Sequence, residues 1–265
     1  MSFSNPFKIA EFVRYSEDKI DRLSEASMID FKSAESFYAN AGLKISPEIT
    51  PDIYKHLKIV CSRLKLPIIK VRAFVLSDPS INAKCHHFEK KGFVIVLNSE
   101  LINIMSAGEI QFIIGHEIGH FLMNHNYFDN DPKVTEKESI ASRAGEISSD
   151  RIGLIGCNDI DIAMKAMIRI QSGLNDEHLR FDTGAFLSQM KTEKGYRQHL
   201  HQSTHPSSTI RAKALLRFSL SEPFQKLNKN EGGTKLSIVD RHIKKDLDTY
   251  FKQKKHSKSI FDGWF

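Results

Sequence analysis

Apolar residues recur three and four positions apart along most of the chain, which is the period of helices packed on one face. The first 45 residues carry this period and show no strand-like alternation. Pro47 and Pro51 interrupt it, and DIYKHLKIVCSRL resumes it after Pro51. LPIIKVRAFVLSDPS is rich in β-branched residues and closes on a turn signal, which predicts a strand. INAKCHHFEKKGFVIVLNS predicts a hairpin that turns at Lys90–Gly92 into a strand over Phe93–Leu97. The best helix runs from Ser106 to Asn126. Ser106 and Glu109 stand at capping-box spacing, and Ile110, Ile113, Ile114, Ile118, Phe121 and Leu122 form a broad apolar face. Thr135 and Glu138 repeat the capping spacing before a helix to about Gly156. Further helices are predicted over Asp161–Gln171, Ser208–Ser219 and Leu236–Lys255. The pattern predicts an α+β, mainly helical fold with a small sheet before the Ser106 helix. Its expected organisation is a helical segment over 1–50, a central domain over 51–220 and a basic helical tail over 221–265.

Polar residues inside the most apolar helix change this picture. Residues 116–120 read His-Glu-Ile-Gly-His, within FIIGHEIGHFL. Positions i and i+4 of a helix share a face, so His116 and His120 can reach one metal ion, and imidazole suits zinc. Glu117 falls beside such a metal. There it can take a proton from a zinc-activated water and return it to a leaving amine.

A catalytic zinc of this type needs a third protein ligand. A histidine ten residues after the first is one solution, but that position holds Asn126, and Met123 stands where a glycine would be needed. His125 is five residues beyond His120 and is expected to point away from the ligand face. The other solution is a carboxylate on a following helix. Glu146 and Asp150 in GEISSDRIGL share a helical face, with Glu146 as ligand and Asp150 hydrogen-bonded to a ligand histidine. Ala144 and Gly145 would let the two helices approach. The competing reading of Glu146 and Asp150 is a solvated acidic pair, and Glu138 is a weaker competitor better explained as a cap.

Composition excludes more than it identifies. Hydrophobic residues at 40% and charged residues at 26% are ordinary for a globular protein. Cys61, Cys85 and Cys157 have no paired spacing and read as free thiols in a reducing compartment, although a Cys85 thiolate capping the metal was a further option. No apolar run reaches the length of a membrane span or signal sequence, so a soluble, cytoplasmic protein is expected. The net charge of +6 is uneven: residues 186–265 hold 16 Lys and Arg against 7 Asp and Glu. A solvated tail accounts for this. Peripheral membrane contact through the basic, aromatic C-terminus KKHSKSIFDGWF is the alternative, and no nucleic-acid motif accompanies it.

Four features in order resemble the zinc metallopeptidases that include the HtpX heat-shock protease and the type-I CAAX prenyl proteases, within the gluzincins. They are Asn82-Ala83 with the Phe93–Leu97 strand, Glu109 through HEIGH, the Glu146/Asp150 pair, and THPSSTIR at 204–211. The resemblance covers roughly residues 55–217. It implies a zincin-like domain with one zinc ion per chain that hydrolyses peptide bonds in a protein or peptide substrate. It also implies that His205 lies near the metal, as oxyanion stabiliser or resting-state cap, and that Arg211 supports its loop or the transition-state charge. Asn82 would fix a substrate carbonyl or serve only as a turn residue, and the Phe93–Leu97 strand would offer an edge to an extended substrate. A repressor-cleaving HExxH peptidase and a non-catalytic zinc-binding scaffold are the alternatives.

Overall fold

Asn5 opens the first helix by accepting a hydrogen bond from the Lys8 amide, and Pro6 occupies the first helical position, where no amide hydrogen is needed. This helix, α1 (Pro6–Val13), buries Ile9, Ala10 and Val13. The computed structural model describes residues 5–18, 31–88, 92–125, 136–189 and 208–251. Within them α1 is followed by α2 (Phe31–Ala41), β1 (Leu43–Lys44), α3 (Pro51–Arg63), β2 (Val71–Leu76), β3 (Ala83–Phe88), β4 (Gly92–Asn98), α4 (Ser99–Ile104) and α5 (Ala107–Met123). Then come α6 (Glu136–Cys157), α7 (Ile160–Ser172), α8 (Thr183–Ser188), α9 (Ser208–Ser219), α10 (Glu222–Leu227) and α11 (Leu236–Phe251). The fold is α+β and mainly helical, as the periodicity predicts. Among the described residues no helix is long and apolar enough to cross a membrane.

The four strands form one sheet in the order β1-β2-β4-β3. β2 runs parallel to β4 with Val71 opposite Phe93, and β3 returns antiparallel with Cys85 opposite Ile95. Two expectations are corrected here. Strand Phe93–Leu97 is not an edge: β4 lies between β2 and β3, so the edge beside the helices is β3. The continuous apolar run FVIVL fits this interior place, because both of its faces are covered. The first 45 residues also contain a strand after all, the two-residue β1, which is too short for alternation to show. The short helices α4, α8 and α10 carry too few turns to be read from periodicity. Thr135, the proposed second cap, lies outside the described residues.

Helix α5 is buried on almost every side. Phe121 stacks on Phe93 of the sheet with ring centroids 4.0 Å apart. Glu109 accepts from the Ser106 amide at 2.6 Å and pairs with Arg169 of α7 at 3.0 Å, so the charge of the capping carboxylate is met inside the core. On the opposite face α5 meets α6 nearly backbone to backbone. A Cβ on Gly119 would stand 2.9 Å from the Ser149 Cα, and one on Gly115 would stand 3.0 Å from the Gly153 Cα.

This contact yields a prediction with a contested sign. By helix propensity Gly119→Ala stabilises by up to about 1 kcal/mol. The added methyl instead meets backbone that cannot rotate away, and overpacking of this kind costs roughly 1–3 kcal/mol. A net loss of stability is expected in urea unfolding, and a gain would show that α6 is free to withdraw.

Candidate metal centre

The glycine contacts bring the polar faces of α5 and α6 together. His116 and His120 lie one turn apart on α5, and Glu146 and Asp150 lie one turn apart on α6. The two Nε2 atoms of the histidines are 2.9 Å from each other, and each is 3.6 Å from an oxygen of Glu146. Ligand atoms of His116, His120 and Glu146 all fall within 4.8 Å of one another, and all three residues are buried.

Tautomers sharpen the geometry. Asp150 Oδ1 lies 2.9 Å from His116 Nδ1, so that nitrogen carries the hydrogen and the Nε2 lone pair faces Glu146. Two imidazole nitrogens and a carboxylate turned toward one buried point repel unless a cation lies among them. A proton or a metal meets that need, and the donor set of two histidines and a glutamate fits zinc. Burial disfavours a charged His116, but the hydrogen bond it donates to Asp150 and the charges of Glu146 and Asp150 outweigh it and raise its pKa. His120 goes the other way: burial and then the neighbouring His116 hold it well below the usual histidine range, as the neutral form a metal requires.

Arg211, from α9, closes the cluster. It donates from Nε and Nη2 to both oxygens of Asp150, at 2.8 and 2.6 Å, and its Nη1 lies 2.9 Å from Glu146 Oε2. One guanidinium therefore contacts two buried carboxylates and ties α9 to α6.

His125 lies off the ligand face, as expected, but it is not idle. Helix α5 ends at Met123, and Asn124 takes a left-handed conformation (φ 56°, ψ 47°). That turn breaks the helical periodicity and folds His125 back, with its Nδ1 3.0 Å from His120 Nδ1 and its Nε2 3.1 Å from Asp18 Oδ2. Burial works to raise the Asp18 pKa, but the hydrogen bonds from His125 and Ser148 and the nearby Arg14 charge overcome it and hold the carboxyl below its ordinary value. Neither residue was legible as part of a site. Asp18 is remote in sequence, and the left-handed turn depends on one asparagine.

A cavity of about 400 Å³ opens in front of His116, lined among others by Glu117, Glu146, Arg211, Asn82 and the first residues of β3, Ala83 to His86. Glu117 is buried on its wall. Asn82 is at the rim, but its side-chain oxygen accepts from the Ala83 amide at 2.9 Å, and its backbone oxygen accepts from the Asn98 amide. Cys85 is buried, and burial with the nearby Glu117 charge pushes its thiol well above the ordinary range, which disfavours the thiolate a metal cap would need. His205 lies outside the described residues.

Residues 48–130 match the profile of peptidase family M48. The chain is also 27% identical over 95 residues to the protease HtpX homologues of several Streptococcus pneumoniae strains, including serotype 4 (strain ATCC BAA-334 / TIGR4) and strain ATCC BAA-255 / R6. The aligned stretch is 36% of this chain and 31% of the relative, so the chain spans about a third of the length of the curated relatives it matches. No solved structure matches. The matched residues 48–130 contain both histidines and Glu117, whereas Glu146, Asp150 and Arg211 fall beyond them.

Proposed function

We propose that this chain, similar over residues 48–130 to peptidase family M48, is a zinc-dependent metalloendopeptidase, with His116, His120 and Glu146 as ligands and Glu117 as general base and acid. One observation carries this reading: two imidazole Nε2 atoms 2.9 Å apart and a carboxylate 3.6 Å from each converge on one buried point, on the wall of a cavity that Glu117 also lines. A zinc ion held there would supply a Lewis acid for the scissile carbonyl and acidify a water. Glu117 takes a proton from the attacking water and returns it to the departing amine. Asp150 holds His116 in the tautomer that exposes Nε2, and Arg211 holds Asp150 and Glu146 in place.

The substrate is a protein or peptide segment in extended form. Strand β3 borders the cavity and is the outer strand of the sheet among the described residues, so that edge can pair with a substrate backbone. Asn82 stands at the start of that edge, and the NH2 of its side chain is the group assigned to a substrate carbonyl. A role for His205 beside the metal, as oxyanion stabiliser or resting-state cap, and a cytoplasmic setting with peripheral membrane contact through residues 252–265 belong to the same proposal.

The test is zinc content and cleavage of unfolded casein by the purified chain. About one zinc per chain and cleavage abolished by 1,10-phenanthroline and restored by zinc are expected. Zinc without cleavage of casein or of any extended peptide would favour a scaffold. A protein that contains no zinc and takes none up overturns the reading.

A further inference from the structure

The two histidine ligands are held from behind by different devices. His116 has the carboxylate of Asp150 at its Nδ1. At Nδ1 of His120 stands His125, and Asp18 stands behind His125. The chain His120–His125–Asp18 spans residues more than a hundred positions apart, and it is buried throughout: the His125 and Asp18 side chains are 9% and 3% exposed.

We propose that His125 and Asp18 are positioning residues of the metal centre, a relay through which the segment after α1 fixes the tautomer and orientation of His120. This rests on the zinc reading above. The direction of each hydrogen bond follows from the far end. The Asp18 carboxylate accepts, so His125 Nε2 carries the hydrogen and donates. The other nitrogen of a neutral His125 then has a lone pair, which accepts from His120 Nδ1–H at 3.0 Å. His120 is left with its Nε2 lone pair directed at His116 Nε2 and Glu146, the form a metal ligand needs. Reversing either bond would put a hydrogen on His120 Nε2 and exclude the metal.

Three independent contacts hold the relay rigid. Gly145 of α6 presents its Cα to the imidazole of His125: a Cβ there would be 3.3 Å from Cγ, Cδ2 and Cε1 alike, so the ring lies flat where α6 has no side chain. Ser149 Oγ lies 3.3 Å from His125 Nδ1. Neighbouring Ser148 accepts from the Tyr15 amide at 3.0 Å, anchoring the chain three residues before Asp18 to the same helix that carries Glu146. His125 and the segment that carries Asp18 both also contact α6, so the orientation of His120 is coupled to the α5–α6 spacing that sets the distance to Glu146.

The experiment compares full-length wild type, His125→Leu, His125→Gln and Asp18→Asn. Its readouts are zinc dissociation constants from chelator competition, the visible spectrum of the cobalt-substituted forms, and circular dichroism as a check of folding. Loss of a partner that orients a ligand weakens metal binding about 10–100-fold. His125→Leu is expected to fall in that range with an altered cobalt spectrum. His125→Gln, whose amide both accepts and donates, is expected to recover most of the affinity, and Asp18→Asn to lie between. A folded His125→Leu that binds zinc within about twofold of wild type overturns the relay and leaves the metal site standing. If His125→Leu does not fold, Asp18→Asn decides in its place: weakened zinc binding supports the relay, and unchanged binding overturns it. A wild type that binds no zinc overturns the peptidase reading, and this inference with it.

Discussion

Glu117→Gln is expected to bind zinc as wild type does and to cleave casein at least a hundredfold, and up to about ten-thousandfold, more slowly. The amide is isosteric with the carboxylate and fills the same place on the cavity wall, so packing of the buried residue is kept. What it loses is the ability to accept a proton from water, because an amide oxygen is far too weak a base at neutral pH. His116, His120 and Glu146 are untouched, so zinc affinity is the internal control. Equal zinc with collapsed kcat identifies Glu117 as the proton carrier. Activity within a few-fold of wild type would mean that another group carries the proton, and the assignment of the motif would need to be redrawn.

Arg211→Met is the second large effect, and it reads out on stability. Glu146 and Asp150 are 3% and 1% exposed, and the guanidinium is the cation that contacts both. Removing one partner of a buried ionic cluster leaves uncompensated charge and costs about 3–5 kcal/mol. The methionine roughly preserves the packed volume of the stem, so the loss reports charge rather than a cavity. Zinc is expected to offset part of it. A cation bound by Glu146 compensates one of the two carboxylates, and binding to the folded state adds stability by mass action. Thermal unfolding with and without zinc therefore separates the roles: a large drop in melting temperature without metal and a smaller one with saturating zinc. Equal drops in the two conditions would show that Arg211 acts on the α6–α9 packing alone.

The parts of this molecule that could be read from the chain were those with a short, regular period. His116 and His120 stand four residues apart on one helix, as do Glu146 and Asp150, so helical geometry alone places each pair on a common face. The Ser106–Glu109 cap is local for the same reason, although its second role, the buried pair with Arg169, depends on α7 packing against it. The hairpin of β3 and β4 was visible because its turn and its β-branched run are adjacent in sequence. Which of those strands is the edge was not, since strand order depends on β2 pairing across a crossover with β4.

His125 shows where periodicity stops being informative. Extrapolating the helix past Met123 points it away from His120, but a single left-handed residue reverses it. Asp18 could not be connected to the site at all, because nothing in a sequence records that residue 18 and residue 125 are neighbours. The sequence by itself determined the helical class and the two residue pairs of the candidate metal centre, since these follow from spacings of four residues or fewer. Only the tertiary structure decided that the pairs meet, that Arg211 bridges the second of them, that β3 borders the cavity, and that the segment after α1 reaches His120. Those contacts depend on close packing between elements far apart in the chain, where the absence of a side chain at Gly115, Gly119 and Gly145 matters as much as the residues present.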